Sequence, residues 1–137
     1  MISLDTNVLV RLVTNDDKNQ ANESACLIDS GVPLFVAITV MLELEWVLRG
    51  AYKLNKSAIL NVIENLLSIR NINFERHSDI ELALTYYAKG VDFSDALHHC
   101  ISTNCNGFAS FDLKFEKSAS KLKIKPFVGS PSFFMPT

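Results

Sequence analysis

Apolar and polar positions follow one another along the chain in blocks that predict strands leading into helices. The chain opens with a short apolar strand that ends at Asp5, and an apolar run over residues 8–13 follows at once. Asp5 and Thr6 provide N-cap chemistry, so this run is predicted to wind into a helix. Ligands bind parallel sheets where the strands end, so Asp5 stands where a site would lie. The alternative interpretation is that Asp5 serves only as a helix cap.

Later blocks repeat the same order of strand and helix. The continuous apolar run 33–38 is typical of a strand buried on both faces, and a helix capped by Thr39 is expected to extend to about Gly50. The remaining predicted elements are helices over about residues 19–30, 57–67, 79–90 and 92–101 and short strands within 71–75, 108–111 and 124–128. Strands that alternate with helices predict an α/β fold, whose right-handed crossovers bring the strand ends to one edge.

Two acidic residues lie on the helix that follows Thr39, and the pattern distinguishes them. Glu45 is four residues before Arg49, which is the arrangement of a solvated salt bridge. Glu43 shares its face with Val40 and Val47, so its carboxylate is expected to lean toward the packed side. Burying an unpaired carboxylate is costly, so Glu43 needs a helix N-terminus or a cation beside it.

Further acidic residues lie at two later junctions. Asp92 is a natural N-cap for the helix that follows it, and Asp95 stands at the third helical position. The alternative for both residues is a cap and an acid that favours the helix dipole. The short strand 108–111 ends directly on Asp112, as the first strand ends on Asp5.

Four of these acids can converge at one edge of the sheet: Asp5, Glu43, Asp95 and Asp112. Carboxylates held together raise one another's pKa unless a cation balances their charge. Ligand sets made only of oxygen favour Mg²⁺ or Mn²⁺ over zinc. Each acid alone is a weak signal, whereas the four together at element junctions indicate a metal site.

Composition narrows the class of protein. A chain of 137 residues with 48% hydrophobic and 20% charged residues suits one folded domain, which we expect over residues 1–128 with a tail at 129–137. The net charge of −2 requires any polyanion to be met locally. Three cysteines without a CxxC pair fit a reducing compartment, and no apolar run could span a bilayer. A cytoplasmic protein without membrane attachment is therefore expected.

Together these motifs resemble the PIN-domain ribonucleases, and most closely the VapC-type toxins of bacterial toxin–antitoxin pairs. The resemblance is carried by Leu4-Asp5-Thr6-Asn7, Glu43-Leu44-Glu45-Trp46-Val47-Leu48, Val91-Asp92-Phe93-Ser94-Asp95-Ala96-Leu97 and Ser110-Phe111-Asp112. Position by position, it implies that the acidic metal site falls on Asp5, Glu43, Asp95 and Asp112. It places supporting polar residues at Thr6, Asn7, Asp92 and Ser110, with Ser110 at a hydroxyl position often filled by threonine.

The resemblance also implies an architecture, an activity and partners. The expected fold is a three-layer α/β/α sandwich with a central, mainly parallel sheet of four to five strands. The expected activity is endoribonuclease cleavage of RNA with Mg²⁺, or alternatively Mn²⁺, as the cofactor. A homodimer neutralised by a cognate antitoxin protein is the expected state.

Other residues have two interpretations each. The lysines of residues 114–125 form either a solvated face or a set of phosphate contacts, and the RNA-contact candidates are Lys114, Lys117 and Lys121. Arg11 is a weaker candidate of the same kind. His99 lies one turn after Asp95, but a helix-surface histidine is the favoured interpretation. The tail carries Phe133 and Phe134, which are expected either to dock or to be disordered.

Three rival functions remain open on the sequence. A phosphohydrolase of the HAD type also begins with a strand and an aspartate, but it needs a second aspartate where this chain has Asn7. A receiver-like module would use an acidic Mg²⁺ pocket, yet it gives no role to Glu43 or Asp95. A non-catalytic PIN scaffold that binds RNA or protein is the third alternative.

Overall fold

The computed structural model describes residues 1–136, in which strands alternate with helices as the sequence predicts. The strands are β1 Ile2–Ser3, β2 Leu34–Val36, β3 Ile72–Phe74, β4 Phe108–Ala109 and β5 Val128–Gly129. The helices are α1 Thr6–Thr14, α2 Lys18–Asp29, α3 Ile38–Gly50, α4 Lys56–Leu67, α5 His77–Ala88, α6 Phe93–Cys100, α7 Leu113–Leu122 and a 3-10 helix Pro131–Phe134. Over this range, none of the helices has the length and apolar character needed to cross a membrane.

The chain divides into two compact units, residues 1–78 and the residues from Asp79 onward. In the first unit β1, β2 and β3 form a parallel sheet in that order, with Ile2 opposite Leu34 and Leu34 opposite Ile72. Helices α1 and α2 connect β1 to β2, and α3 and α4 connect β2 to β3. Parallel strands joined through helices confirm the predicted α/β class.

The first unit has its apolar core on the faces that the helical and strand periodicities predict. Leu34 and Val36 of β2 are fully buried, and Phe35 between them is half-buried. This burial accounts for the continuous apolar run over the strand. Apolar residues at spacings of three and four put one face of each helix into the core. The fully buried side chains of the helices include Leu9, Met41, Leu44, Leu48, Ile59 and Ile63.

The start of α3 differs from the prediction, because Thr39 does not cap it. The helix begins at Ile38, and the preceding Ala37 has no side chain that could accept a hydrogen bond. Instead, the Ile38 N–H donates to Oε1 of Glu75, at 2.8 Å, from the end of β3. A carboxylate at this position also favours the positive end of the helix dipole.

The second unit contains a parallel pair, β4 and β5, in which Phe108 lies opposite Val128. The five strands thus form two hydrogen-bonded sheets, of three and two strands. The predicted surface position of His99 is wrong, because its side chain is buried. One ring nitrogen, Nε2, is 2.7 Å from the carbonyl oxygen of Pro126, and the ring packs near Phe108 and Phe115.

The tail predicted at residues 129–137 contacts its own unit through Gly129, Phe133 and Phe134. Gly129 pairs within β5, and the 3-10 helix follows. The rings of Phe133 and Phe134 contact Phe127, with centroids 4.7 and 6.3 Å away. A Cβ on Gly107 would collide with the ring of Phe134. Of the two alternatives for Phe133 and Phe134, the structure shows docking on this chain, and Thr137 lies outside the described residues.

Candidate active site

Asp5 lies in the connection between β1 and α1 and caps the helix. Its backbone is extended, and Oδ1 accepts a hydrogen bond from the Thr6 N–H at 2.7 Å. The side chain is exposed, and Oδ2 has no hydrogen-bond partner within residues 1–136. A carboxylate can cap a helix with one oxygen and present the other to a ligand. The cap does not exclude the site role predicted for Asp5.

Thr6 connects α1 to α3. Its side chain is 5% exposed, and Oγ1 donates a short hydrogen bond to Oε1 of Glu43. This bond joins the first turn of α1 to the middle of α3. The resemblance implies a supporting role for Thr6. Its hydroxyl can fill that role because it holds the Glu43 carboxylate in one orientation.

The predicted facing of Glu43 and Glu45 is wrong. Glu43 is exposed, whereas Glu45 is only 3% exposed and accepts a bond from Nε of Arg49 at 2.9 Å. The buried stripe of α3 consists of Met41, Leu44, Glu45 and Leu48. This stripe has the usual spacing of three and four residues, so Glu45 falls inside it. In the ion pair with Arg49 the carboxylate is buried and the arginine side chain is 51% exposed. Glu43 reaches the site from the exposed face.

A cleft of about 690 Å³ opens beside Asp5 and Glu43. Its polar lining consists of Asp5, Thr6, Asn7, Arg11, Glu43 and Tyr52. Two carboxylates therefore face one concave space, with Asn7 beside them as the resemblance implies. We call this space the first cleft.

In the second unit, Asp92 and Asp95 lie at the start of α6. Oδ1 of Asp92 accepts bonds from the backbone N–H of Ser94 at 3.0 Å and from its hydroxyl at 2.6 Å, which confirms the predicted cap. Asp95 is half-buried. Burial raises the pKa of Asp95 above its usual value, and the negative charges of Asp92 and Asp112 raise it further. The ionised form of Asp95 is therefore destabilised by burial and by the neighbouring carboxylates.

Asp112 is exposed at the start of α7. Its Oδ1 accepts a hydrogen bond from the Phe115 N–H at 3.1 Å, so it caps this helix. The hydroxyl of Ser110 accepts from the Asp112 N–H at 3.0 Å, which holds the turn between β4 and α7. Ser110 therefore orients Asp112. The RNA-contact candidates on α7, Lys114, Lys117 and Lys121, are all exposed.

The donor chemistry of these carboxylates fits a hard divalent cation. All candidate ligand atoms are oxygens. The pKa of Asp95 is raised first by burial and then by the charges of Asp92 and Asp112, and a cation would offset those charges. Within residues 1–136, no group of three or more His, Cys, Asp or Glu side chains is placed so that it could hold a metal ion. Mg²⁺ keeps several waters and is often held by one or two carboxylates, so it does not need such a group.

Arg11 is only a weaker phosphate-contact candidate on the sequence, yet its side chain lines the first cleft. Nη1 of Arg11 donates to Oδ1 of Asp16 at 2.7 Å, and the Tyr52 hydroxyl donates to Oδ2 of Asp16 at 2.6 Å. These bonds raise the pKa of Arg11 and lower that of Asp16. The available signal was Asn7 and Arg11 at a spacing of four, which puts both on one face of α1.

Comparison with protein families gives one match, to the family described as the PIN domain, over residues 2–121. Comparison with curated proteins gives no match. The matched span contains the four candidate metal ligands, Asp5, Glu43, Asp95 and Asp112.

Proposed function

Because the chain belongs to the PIN-domain family, we propose that it is a Mg²⁺-dependent endoribonuclease of the VapC toxin type. PIN domains are generally Mg²⁺-dependent nucleases. The observation that carries the proposal is the family match over residues 2–121, with an acid at each of the four motif positions. Family membership favours this function over a HAD-type phosphohydrolase. A non-catalytic PIN scaffold is the alternative that an assay has to exclude.

In this proposal Asp5, Glu43, Asp95 and Asp112 are the ligands of divalent metal. Their oxygen donors and the electrostatic environment of Asp95 support the assignment. Mn²⁺ is the expected substitute, since it also accepts oxygen ligands. Thr6 and Ser110 act as positioning residues, because their hydroxyls hold Glu43 and the Asp112 turn.

The proposed reaction is hydrolysis of a phosphodiester. Water attacks the phosphorus, the bond from phosphorus to the 3′ oxygen breaks, and the products are a 5′-phosphate and a 3′-hydroxyl. A bound divalent ion supplies activation of the water and stabilisation of the leaving oxygen. The chain's own carboxylates would hold that ion, and no Ser/His or Cys/His pair is required.

The candidate carboxylates repel the phosphates of RNA, so RNA binding requires positively charged side chains. We assign this role to the exposed lysines of α7, Lys114, Lys117 and Lys121, which follow Asp112 along the helix. Their spacing of three and four residues puts them on one face. Phosphate contacts of this kind contribute affinity without reading the base sequence.

A cognate antitoxin and a homodimer belong to the proposal as well. VapC-type toxins are controlled by an antitoxin, and a basic side chain would complement the acidic cluster electrostatically. Trp46 on α3 is 65% exposed and Phe111 is 84% exposed, so apolar surface is available to a protein partner. These exposures support protein contacts without identifying which partner covers each residue.

The test of the proposed function is cleavage of a mixed RNA pool by the purified chain. We expect fragments with 3′-hydroxyl ends in Mg²⁺ or Mn²⁺ and none in excess EDTA, with activity restored when Mg²⁺ is added back. Sequencing of the fragment ends measures both the reaction and its position. An RNA pool that binds but stays intact in Mg²⁺ would instead identify a non-catalytic scaffold.

A further inference from the structure

Arg11 lies on the wall shared by two neighbouring clefts. One is the first cleft, which contains Asp5 and Glu43. The other has a volume of about 490 Å³, lies between α1 and α2, and is lined by Glu23 and Ser24 among others. We call it the second cleft. Asn7 and Arg11 line both.

The Arg11 side chain is held in one orientation by its neighbours. Nε donates to Oε1 of Gln20 at 2.7 Å, and Nη1 donates to Oδ1 of Asp16 at 2.7 Å and to the Tyr52 hydroxyl at 3.3 Å. Within residues 1–136, Nη2 has no hydrogen-bond partner, and the side chain is 31% exposed. A guanidinium fixed at two nitrogens can offer its third to a ligand without a further loss of side-chain freedom.

Carboxylates line both clefts, so the positive charge of Arg11 has a specific role there. The first cleft carries the carboxylates of Asp5 and Glu43, and the second carries that of Glu23. Among the described residues that line either cleft, Arg11 is the only lysine or arginine. An RNA strand that reaches Asp5 would therefore meet anionic walls, and a cation on the shared wall would offset that repulsion.

We propose that Nη2 of Arg11 binds a phosphate oxygen of the RNA and positions the strand across the wall shared by the two clefts. This inference rests on the proposed ribonuclease function. Guanidinium groups suit this task because their planar donors match phosphate oxygens and are always charged. The nucleotide on one side of that phosphate would occupy the first cleft, and its neighbour would occupy the second.

The competing explanation is purely structural: Arg11 ties the end of α1 to the following connection through Asp16. The two roles predict opposite effects of Asp16→Asn on RNA binding. If Arg11 is only a structural tie, Asp16→Asn removes the same ion pair as Arg11→Gln and acts in the same direction. If Arg11 binds phosphate, Asp16→Asn leaves the arginine in place and removes a negative charge that competes with the RNA.

The experiment measures binding of a fluorescently labelled single-stranded RNA by anisotropy, at several salt concentrations with Mg²⁺, in an Asp95→Asn parent that limits cleavage. Arg11→Gln should weaken binding about tenfold. It should also reduce the slope of log affinity against log salt by about one. Asp16→Asn should bind RNA as tightly as the parent or more tightly. Arg70→Gln, which removes an exposed arginine from outside both clefts, is the matched control and should match the parent.

Two results would overturn the inference alone: unchanged RNA affinity and salt slope in Arg11→Gln, or weakening by Asp16→Asn equal to that by Arg11→Gln. Absence of RNA binding by the wild-type chain would overturn it together with the proposed function, so the two failures are distinguishable. Thermal melts identify any variant that does not fold. Arg11→Lys, which keeps the charge but not the planar group, then provides the comparison and should bind RNA more weakly than the parent.

Discussion

Asp95→Asn should reduce metal-dependent RNA cleavage roughly a thousandfold while the chain remains folded. The substitution preserves the size of the side chain and removes one charge from the carboxylates around the start of α6, where Asp92 and Asp112 already act on Asp95. Loss of an anionic ligand weakens both metal binding and the stabilisation of the transition state. The measurement is the initial rate on a labelled RNA at saturating Mg²⁺.

The matched control is Asp29→Asn, an exposed aspartate at the end of α2 and outside the first cleft. Its rate should stay within about twofold of the wild type, since surface substitutions usually have small effects. An Asp95→Asn protein that keeps more than roughly a tenth of the wild-type rate would contradict the assignment of Asp95 as a ligand.

The pKa shift of Asp95 allows loss of catalysis in Asp95→Asn to be distinguished from loss of folding. Its pKa is raised in the folded state. The protonated form therefore stabilises the fold below the unfolded-state pKa, and this contribution is lost as pH rises through the folded-state pKa. At neutral pH without metal, the wild type carries the full penalty and Asp95→Asn does not. The variant should then melt at or above the wild-type temperature in EDTA, so its inactivity cannot be attributed to unfolding.

Glu43→Gln and Glu45→Gln should have opposite consequences although the two residues are two positions apart. Glu45 is buried beside Arg49, so Glu45→Gln should lower the free energy of unfolding by about 2 kcal/mol. Cleavage per folded molecule should be largely retained. Glu43 is exposed at the first cleft, so Glu43→Gln should leave stability nearly unchanged and remove most cleavage. Urea unfolding and RNA cleavage of both variants measure the two effects.

Each variant is the control for the other, because both replace a glutamate on α3 by its amide. Arg49→Gln should reproduce the destabilisation by Glu45→Gln, since it removes the other charge of the same ion pair. If Glu45→Gln were as inactive per folded molecule as Glu43→Gln, the separation of a structural from a catalytic glutamate would be wrong.

The local parts of the candidate site could be predicted from the sequence. Capping depends on residues within one turn of a helix start, so Asp5 and Asp92 could be recognised as caps. Asp112 was predicted directly after its strand, but β4 ends at Ala109 and Asp112 is the N-cap of α7. The short strand predicted within 71–75 is observed at Ile72–Phe74, where two buried apolar residues flank an exposed Asn73.

Features that depend on distant contacts could not be predicted. An acid and a base four residues apart have the same sequence pattern whether their helix face is exposed or buried, so Glu45 was placed on the wrong face. The Glu75 carboxylate that caps α3 comes from 37 residues away. His99 is buried because a carbonyl and two aromatic rings surround it, and none of these neighbours is near it in sequence.

The central claim is that Asp5 and Asp95 are both metal ligands, and calorimetric titration with Mn²⁺ tests it most directly. The proteins to compare are the wild type, Asp5→Asn, Asp95→Asn and the control Asp29→Asn. The proposal predicts that Asp5→Asn and Asp95→Asn each weaken Mn²⁺ binding by roughly tenfold or more, and that the control binds like the wild type. Mn²⁺ binding of wild-type strength in either Asp5→Asn or Asp95→Asn would contradict the assignment of that residue as a metal ligand.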